Sequence, residues 1–142
     1  MARAVLTQEL HFEMKNETGL LGQITATLAL AGVYIIHMSA YTVNTKGYFQ
    51  IITRDNGKAK AALKHLAPKA VERDVVVVEF ENKVGTLAPV ARLLGSNNIE
   101  VNYAYGTSGD GFKIVGVFST NHNAKAVQII NKESGSLAAS SG

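Results

Sequence analysis

Leu10, Phe12 and Met14 alternate with Glu9, His11 and Glu13, and this period of two predicts a strand with one buried face. A polar turn, residues 16–19, follows. Leu21, Ile24, Leu28 and Ala31 then recur at the spacing of one face of a helix. Gly32 stands where that helix should end in the left-handed conformation. Residues 33–43 predict a long strand, Lys46-Gly47 a turn, and residues 48–53 the returning strand. Asp55 or Asn56 offers an N-cap for a second helix over 57–66, which Pro68 stops. Residues 70–72 predict a short closing strand.

The second half follows the same order. Residues 75–81 predict a strand, and their near-continuous valines predict burial on both faces. A helix over 87–94 carries Pro89, which is tolerated only in a first turn and so fixes where the helix begins. Gly95 to Asn98 end it. Residues 99–107 predict the long strand, 108–111 a tight turn and 112–119 the return. Asn121 or Asn123 caps a last helix over 124–131. Residues 132–142, rich in Ser, Gly and Ala, predict a flexible tail with no closing strand.

The halves are copies. Asn16-Glu17-Thr18-Gly19-Leu20-Leu21 returns as Asn82-Lys83-Val84-Gly85-Thr86-Leu87, an offset of 66 (82 minus 16). Leu10, Phe12 and Met14 return at that offset as Val76, Val78 and Phe80, and Ile24, Leu28, Val33 and Ile35 as Val90, Leu94, Ile99 and Val101. Apolar positions kept in register over that length imply one supersecondary unit used twice. The expected class is α+β: two ferredoxin-like βαββαβ modules, residues 1–73 and 74–131, with a flexible tail at 132–142. Each long second strand is an edge that needs a partner. Joining 33–43 to 99–107 would set the modules side by side in an eight-stranded antiparallel sheet with its helices on one face.

Composition narrows the chemistry. The chain has no Cys, which removes disulfides, thiolate ligands and thiol nucleophiles. The spacing of His11, His37, His65 and His122 matches no metal site, and neither metal nor cofactor is expected. Ser39, Ser96, Ser108 and Ser119 sit in no nucleophile motif, so a non-catalytic protein is expected. The net charge of +3 is spread along the chain. Lys58, Lys60, Lys64 and Lys69 read as a solvated helix face, and the Arg/Lys-Gly-aromatic signature of RNA-binding relatives of this fold is missing. No nucleic-acid partner is expected. No apolar run spans a membrane and no signal-peptide core opens the chain, so a cytoplasmic protein is expected.

Each repeated loop joins a strand to a helix. Gly19 and Gly85 permit a tight turn and close approach, while the free amides of the helix start suit a carboxylate. Asn16 and Asn82 can both donate and accept. Repeat, element order and loops together resemble a tandem pair of ACT domains, small regulatory modules that bind amino acids, over about residues 7–131. The resemblance implies a free amino-acid effector held where two modules meet, between the loop of one and strand residues of its partner. Carried over residue by residue, it points to Asn16, Thr18, Gly19, Leu20 and Leu21 and to Asn82, Val84, Gly85, Thr86 and Leu87. His37 and Tyr103, equivalent positions on the second strands, complete the candidate ligand contacts. The chain departs from the family in having Asn where an acid is common and Thr18 or Val84 where proline is common. The implied function is regulation by conformational or association change, with a homodimer or a protein partner as the receiver. A protein-interaction or self-association module without small ligand is the alternative from another class.

Overall fold

The computed structural model describes residues 2–108 and 111–141, the side chains of Ser108 and of 135–141 excepted. The elements are β1 (Arg3–Lys15), α1 (Leu20–Leu30), β2 (Ile35–Val43), β3 (Lys46–Thr53), α2 (Asn56–Ala62), β4 (Val71–Glu81), α3 (Leu87–Ser96), β5 (Val101–Ser108), β6 (Lys113–Thr120) and α4 (Asn123–Ser141). The expected turn at 108–111 lies, at 109 and 110, outside the described residues. Six strands form one sheet in the order β2-β3-β1-β4-β6-β5. The chain divides into an N-terminal unit, Gln8–Arg73, and a C-terminal unit made of Met1–Thr7 with Asp74–Gly142.

Two expectations are corrected here. The sheet has six strands, not eight, and β2 and β5 are its terminal strands and are not joined side by side. The reason is continuity of the backbone. Neither 3–15 nor 70–81 contains Gly or Pro, so nothing breaks the chain between a closing strand and the next opening one. β4 therefore fuses the expected strands at 70–72 and 75–81, and β1 extends back to Arg3. Each fused strand serves both units, so six strands fill the places assigned to eight.

In the N-terminal unit, β3 pairs with β1 (Leu10↔Ile51 to Lys15↔Lys46) and with β2 (Tyr41↔Tyr48, Ser39↔Gln50). Leu10, Phe12, Phe49 and Ile51 meet Leu20, Ile24 and Leu28 of α1 and Ala59 of α2 in one core, which sets both helices on one face. α2 ends at Ala62, earlier than expected, and turns ahead of Pro68 fill the interval. The C-terminal unit repeats the pattern. β6 pairs with β4 and β5, and Val76, Val78, Phe80 and Phe118 pack on Val90, Leu94, Ala126 and Ile130. Ala4 of β1 belongs to this core and is 3% exposed. Asn131 holds it there: its Oδ1 accepts from the Ala4 amide at 2.8 Å and its Nδ2 donates to the Ala4 carbonyl at 2.8 Å. The closing strand that residues 132–142 failed to supply thus comes from the other end of the sequence. Those residues, expected as a flexible tail, continue α4 as far as Ser141.

Both first helices of the units stop in the same way. Gly32 (φ 72°) and Asn98 (φ 57°) are left-handed, and the amides of Val33 and Ile99 return to the carbonyls of Leu28 and Leu94 at 2.9 and 3.0 Å. That reversal leads the chain into β2 or β5, and the far end of β2 returns to the loop that opens α1.

The face of the N-terminal sheet away from the helices is mainly polar, with the buried Ile52 among its residues. It carries His11, Glu13, His37, Ser39 and Gln50, of which Gln50 is buried and lies 3.4 Å from His11 through its Nε2. Burial, and then the positive charge of Arg73, hold the His11 pKa below its ordinary value, while Glu13 acts against them. Burial alone lowers that of His37. Both rings are therefore harder to protonate folded than unfolded. Their contribution is complete above the ordinary value of 6.5 and is lost as pH falls through the lowered one. We expect the melting temperature to fall between about pH 7 and pH 5, and His11→Gln to make that fall shallower. Identical pH profiles for the variant and the parent would remove His11 as a cause.

Candidate functional site

The loop between β1 and α1 reverses at Gly19, whose φ is +86°, and Gly85 between β4 and α3 has the same value. At neither would a Cβ meet any atom within 4 Å. Glycine is required by backbone conformation, not by crowding. No side chain caps either helix, and no acidic residue stands in either first turn. No acid of the first turn therefore offsets the positive end of either helix, although Glu17 stands in the first loop.

In the N-terminal unit a crevice of about 300 Å³ lies beside this loop, lined by Asn16, Glu17, Gly19, Leu20 and Leu21 and by Tyr41 and Thr42 of β2. Asn16 fixes the loop to the β2–β3 hairpin through its amide, which donates to the Thr45 carbonyl at 2.8 Å. The hydroxyl of Thr42 reaches Asn16 Oδ1 at 3.5 Å. Leu20 is buried in the core while Leu21 is half exposed, so consecutive leucines anchor the helix and face the crevice.

The C-terminal counterpart is about 460 Å³ and more apolar, lined by Leu87, Tyr105, Gly106, Thr107, Ile114 and Val115 among others. Leu87 and Gly106 stand at the positions of Leu21 and Ala40 in the first crevice (87 minus 21 and 106 minus 40 are both 66). Asn82 is committed to the hairpin: its amide donates to the Phe112 carbonyl and its Nδ2 to the Gly111 carbonyl, both at 2.9 Å. Thr86 folds its hydroxyl back on the Glu81 carbonyl at 3.0 Å. Lys83, 3.0 Å from Glu81, holds that carboxyl below the usual range.

A profile of the ACT domain pair matches residues 5–140. The chain belongs to the ACT domain pair family. Among solved structures, a protein from Bacteroides thetaiotaomicron superposes with a TM-score of 0.84 at 22% identity, over 92% of this chain and 90% of that one. The regulatory subunit of aspartate kinase from Thermus thermophilus, ligand-free, gives 0.68 at 13%, over 93% and 96%. The aspartate kinase of Clostridium acetobutylicum gives 0.58 at 14%, with 92% of this chain matched to 32% of the enzyme. At these identities the likeness is one of fold. No curated protein sequence matches the chain.

Within this ACT pair the candidate residues are not all brought together. Asn16, Gly19, Leu20 and Leu21 line the first crevice and Leu87 the second, whereas Gly85 and Thr86 line a separate cavity between α3 and α4. Thr18 and Val84 are exposed loop residues that line neither crevice. His37 and Tyr103 do not line them either; His37 sits in register with Ile52 on the polar face, and Tyr103 stacks on Tyr105 at 6.4 Å. Tyr41, Thr42, Tyr105 and Thr107 also line the crevices. The signal that finds them is geometric: the far end of a second strand returns to the level of the loop that opens the helix. Tyr41 is held by stacking on Tyr48 at 5.2 Å, and Tyr34 by the Arg54 guanidinium 4.0 Å above its ring. Among the described residues no three of His, Cys, Asp and Glu cluster to hold a metal, and no helix is long and apolar enough to cross a membrane.

Proposed function

We propose that this ACT pair is a non-catalytic regulator that binds a free α-amino acid at its strand–helix loops and passes occupancy on as a change of conformation or association. One observation carries the reading: two left-handed glycines open two uncapped helices, each beside a crevice of amino-acid size. Amides at an uncapped helix start suit the carboxylate. The ammonium would meet the Asn16 side chain or strand carbonyls and, in the first crevice, the carboxylate of Glu17, which also lines it. Affinity should be micromolar or weaker, about −8 kcal/mol. Membership of the ACT family supports the reading, and regulatory subunits of aspartate kinase show the same fold in a regulatory setting. A dimer of this chain or a protein partner would receive the signal by population shift.

Thermal shift against the twenty amino acids, then calorimetry on the best, tests it. A ligand confined to the folded state raises the melting temperature, and its carboxamide should bind at least about tenfold more weakly if the carboxylate is held by amides. Equal binding of acid and amide would refute the carboxylate assignment, and no shift with any amino acid would refute the ligand. Gly19→Val and Gly85→Val should each weaken binding about tenfold and cost about 1–3 kcal/mol of stability from φ alone. Lys64→Ala, on the exposed basic segment, should leave binding unchanged; folded glycine variants that bind like the parent would remove the loops as the site.

A further inference from the structure

The two crevices use the same hairpin positions with different side chains. Ala40 pairs with Phe49 in the N-terminal unit, and Met38 with Ile51. In the C-terminal unit Gly106 pairs with Gly116, and Ala104 with Phe118. Ala104 and Gly106 stand 66 positions after Met38 and Ala40 (104 minus 38, 106 minus 40), so Gly116 takes the place of Phe49. All three positions lie on the helix-facing side of the hairpin, and all three are smaller in the C-terminal unit. Phe49 is buried, stacks on Phe12 at 5.0 Å and lines the first crevice, while Met38 packs against the same core. Gly116 and Gly106 instead leave a floor of bare backbone. A Cβ at Gly116 would stand 2.8 Å from Phe118 Cε2 and 3.1 Å from Phe80 Cε2, so those two rings already lie over the glycine. They wall the hollow together with Ile114 and Leu87. Among the described residues that line it none is charged, whereas Glu17 lines the first crevice.

We propose that the C-terminal crevice selects an α-amino acid with a bulky apolar side chain, branched aliphatic or aromatic, and that the first crevice does not. The inference rests on the reading of the loops as amino-acid sites and names the ligand class of one of them. Leu87 sets the orientation, because it is both a wall of the hollow and the first residue of α3. A carboxylate held by the amides of that helix start leaves the side chain to run over Gly106 and Gly116. Glycine at both places lets an apolar group lie directly on the backbone. There it covers the edges of Phe80, Phe118 and Ile114, and each buried methylene tightens binding about fourfold. A charged side chain in the same place would lose its water and meet no opposite charge. In the first crevice the ring of Phe49 stands where that apolar group would go, and Glu17 adds a charge beside it.

Calorimetry on the full chain with each of the twenty amino acids tests it, with amide shifts to place the site. Leucine and phenylalanine should bind about tenfold or more tighter than alanine, and aspartate and lysine no better than alanine. Shifts caused by leucine should concentrate in residues 104–107 and 114–116. Ala104→Met puts at this exposed position the residue that the first unit has there. Its side chain should fill the hollow, weakening leucine about fivefold or more while alanine stays within about twofold. A small or charged amino acid that binds more tightly than leucine would overturn the apolar pocket and leave amino-acid binding standing. So would equal weakening of leucine and alanine by Ala104→Met, or leucine shifts confined to Tyr41 and Thr42. Saturating heat from none of the twenty would overturn the amino-acid reading itself, and this pocket with it.

Discussion

Replacing Asn56 or Asn123 by alanine should lower stability by about 2–3 kcal/mol each, far more than an ordinary loop substitution. The two residues make the same three hydrogen bonds at corresponding places. Asn56 Oδ1 accepts from the Thr53 amide at 3.1 Å and the Thr53 hydroxyl at 2.7 Å, while its Nδ2 donates to the Gln8 carbonyl at 2.9 Å. Asn123 does this with Thr120 at 2.9 and 2.8 Å and with the Asp74 carbonyl at 2.8 Å. One carboxamide thus ties the end of a returning strand, the start of a helix and the middle of a first strand. Thr53 and Thr120 are 8% and 6% exposed, so the alanine variants leave buried hydroxyls short of a partner. Asn→Asp keeps the acceptor and loses the donor, and should destabilise less. Urea denaturation measures both; a loss under about 0.5 kcal/mol for both alanine variants would show that water replaces the carboxamide without penalty.

These asparagines show how much of the structure the sequence discloses. Asn56 and Asn123 were among the candidate caps, because a short polar side chain before a helical segment satisfies orphan amides. Their grip on Gln8 and Asp74 was not legible, since that contact spans 48 and 49 positions. Helix ends were legible where a residue type forces a conformation, as at Gly32 and Asn98, and less so at α2, where turns take over well before Pro68. Strand count was misread because the repeat suggested eight separate strands. The absence of any breaker within 3–15 and 70–81 was the evidence for two long ones. The crevices were half legible. Glycines with positive φ announce themselves by type, but Tyr41 and Tyr105 reach the loops only through the length and register of the hairpins. His37 and Tyr103 were chosen by equivalence, which fixes a place on a strand but not which crevice it faces.

Ala4→Asp should be the most damaging single change, costing about 3 kcal/mol or more, and its effect should fall on residues far away in sequence. Ala4 packs against Val76, Val78 and Ile130, and the nearest of these is 72 positions on (76 minus 4). A carboxylate at that site has no cation to meet in the core that surrounds it. The Asn131 side chain spends its donor and acceptor on the Ala4 backbone, so it cannot turn to the new charge without releasing the strand. Asn131→Ala attacks the same joint from the helix side and should cost about 1–3 kcal/mol by leaving the Ala4 amide and carbonyl unmatched. Hydrogen exchange distinguishes this from general unfolding. Protection should drop first in β4 and α4 of the C-terminal unit, while the pairing of Leu10–Lys15 with β3 persists because its own core of Leu10, Phe12 and Ile51 is untouched. Uniform loss of protection across both units would show instead that Arg3–Thr7 is not a separable closing strand. Acid supplies a further check. If burial is the source of the damage, Ala4→Asp should regain stability as pH falls through the raised pKa of the buried carboxyl, with recovery complete by about pH 4, the reverse of the trend expected from His11 and His37.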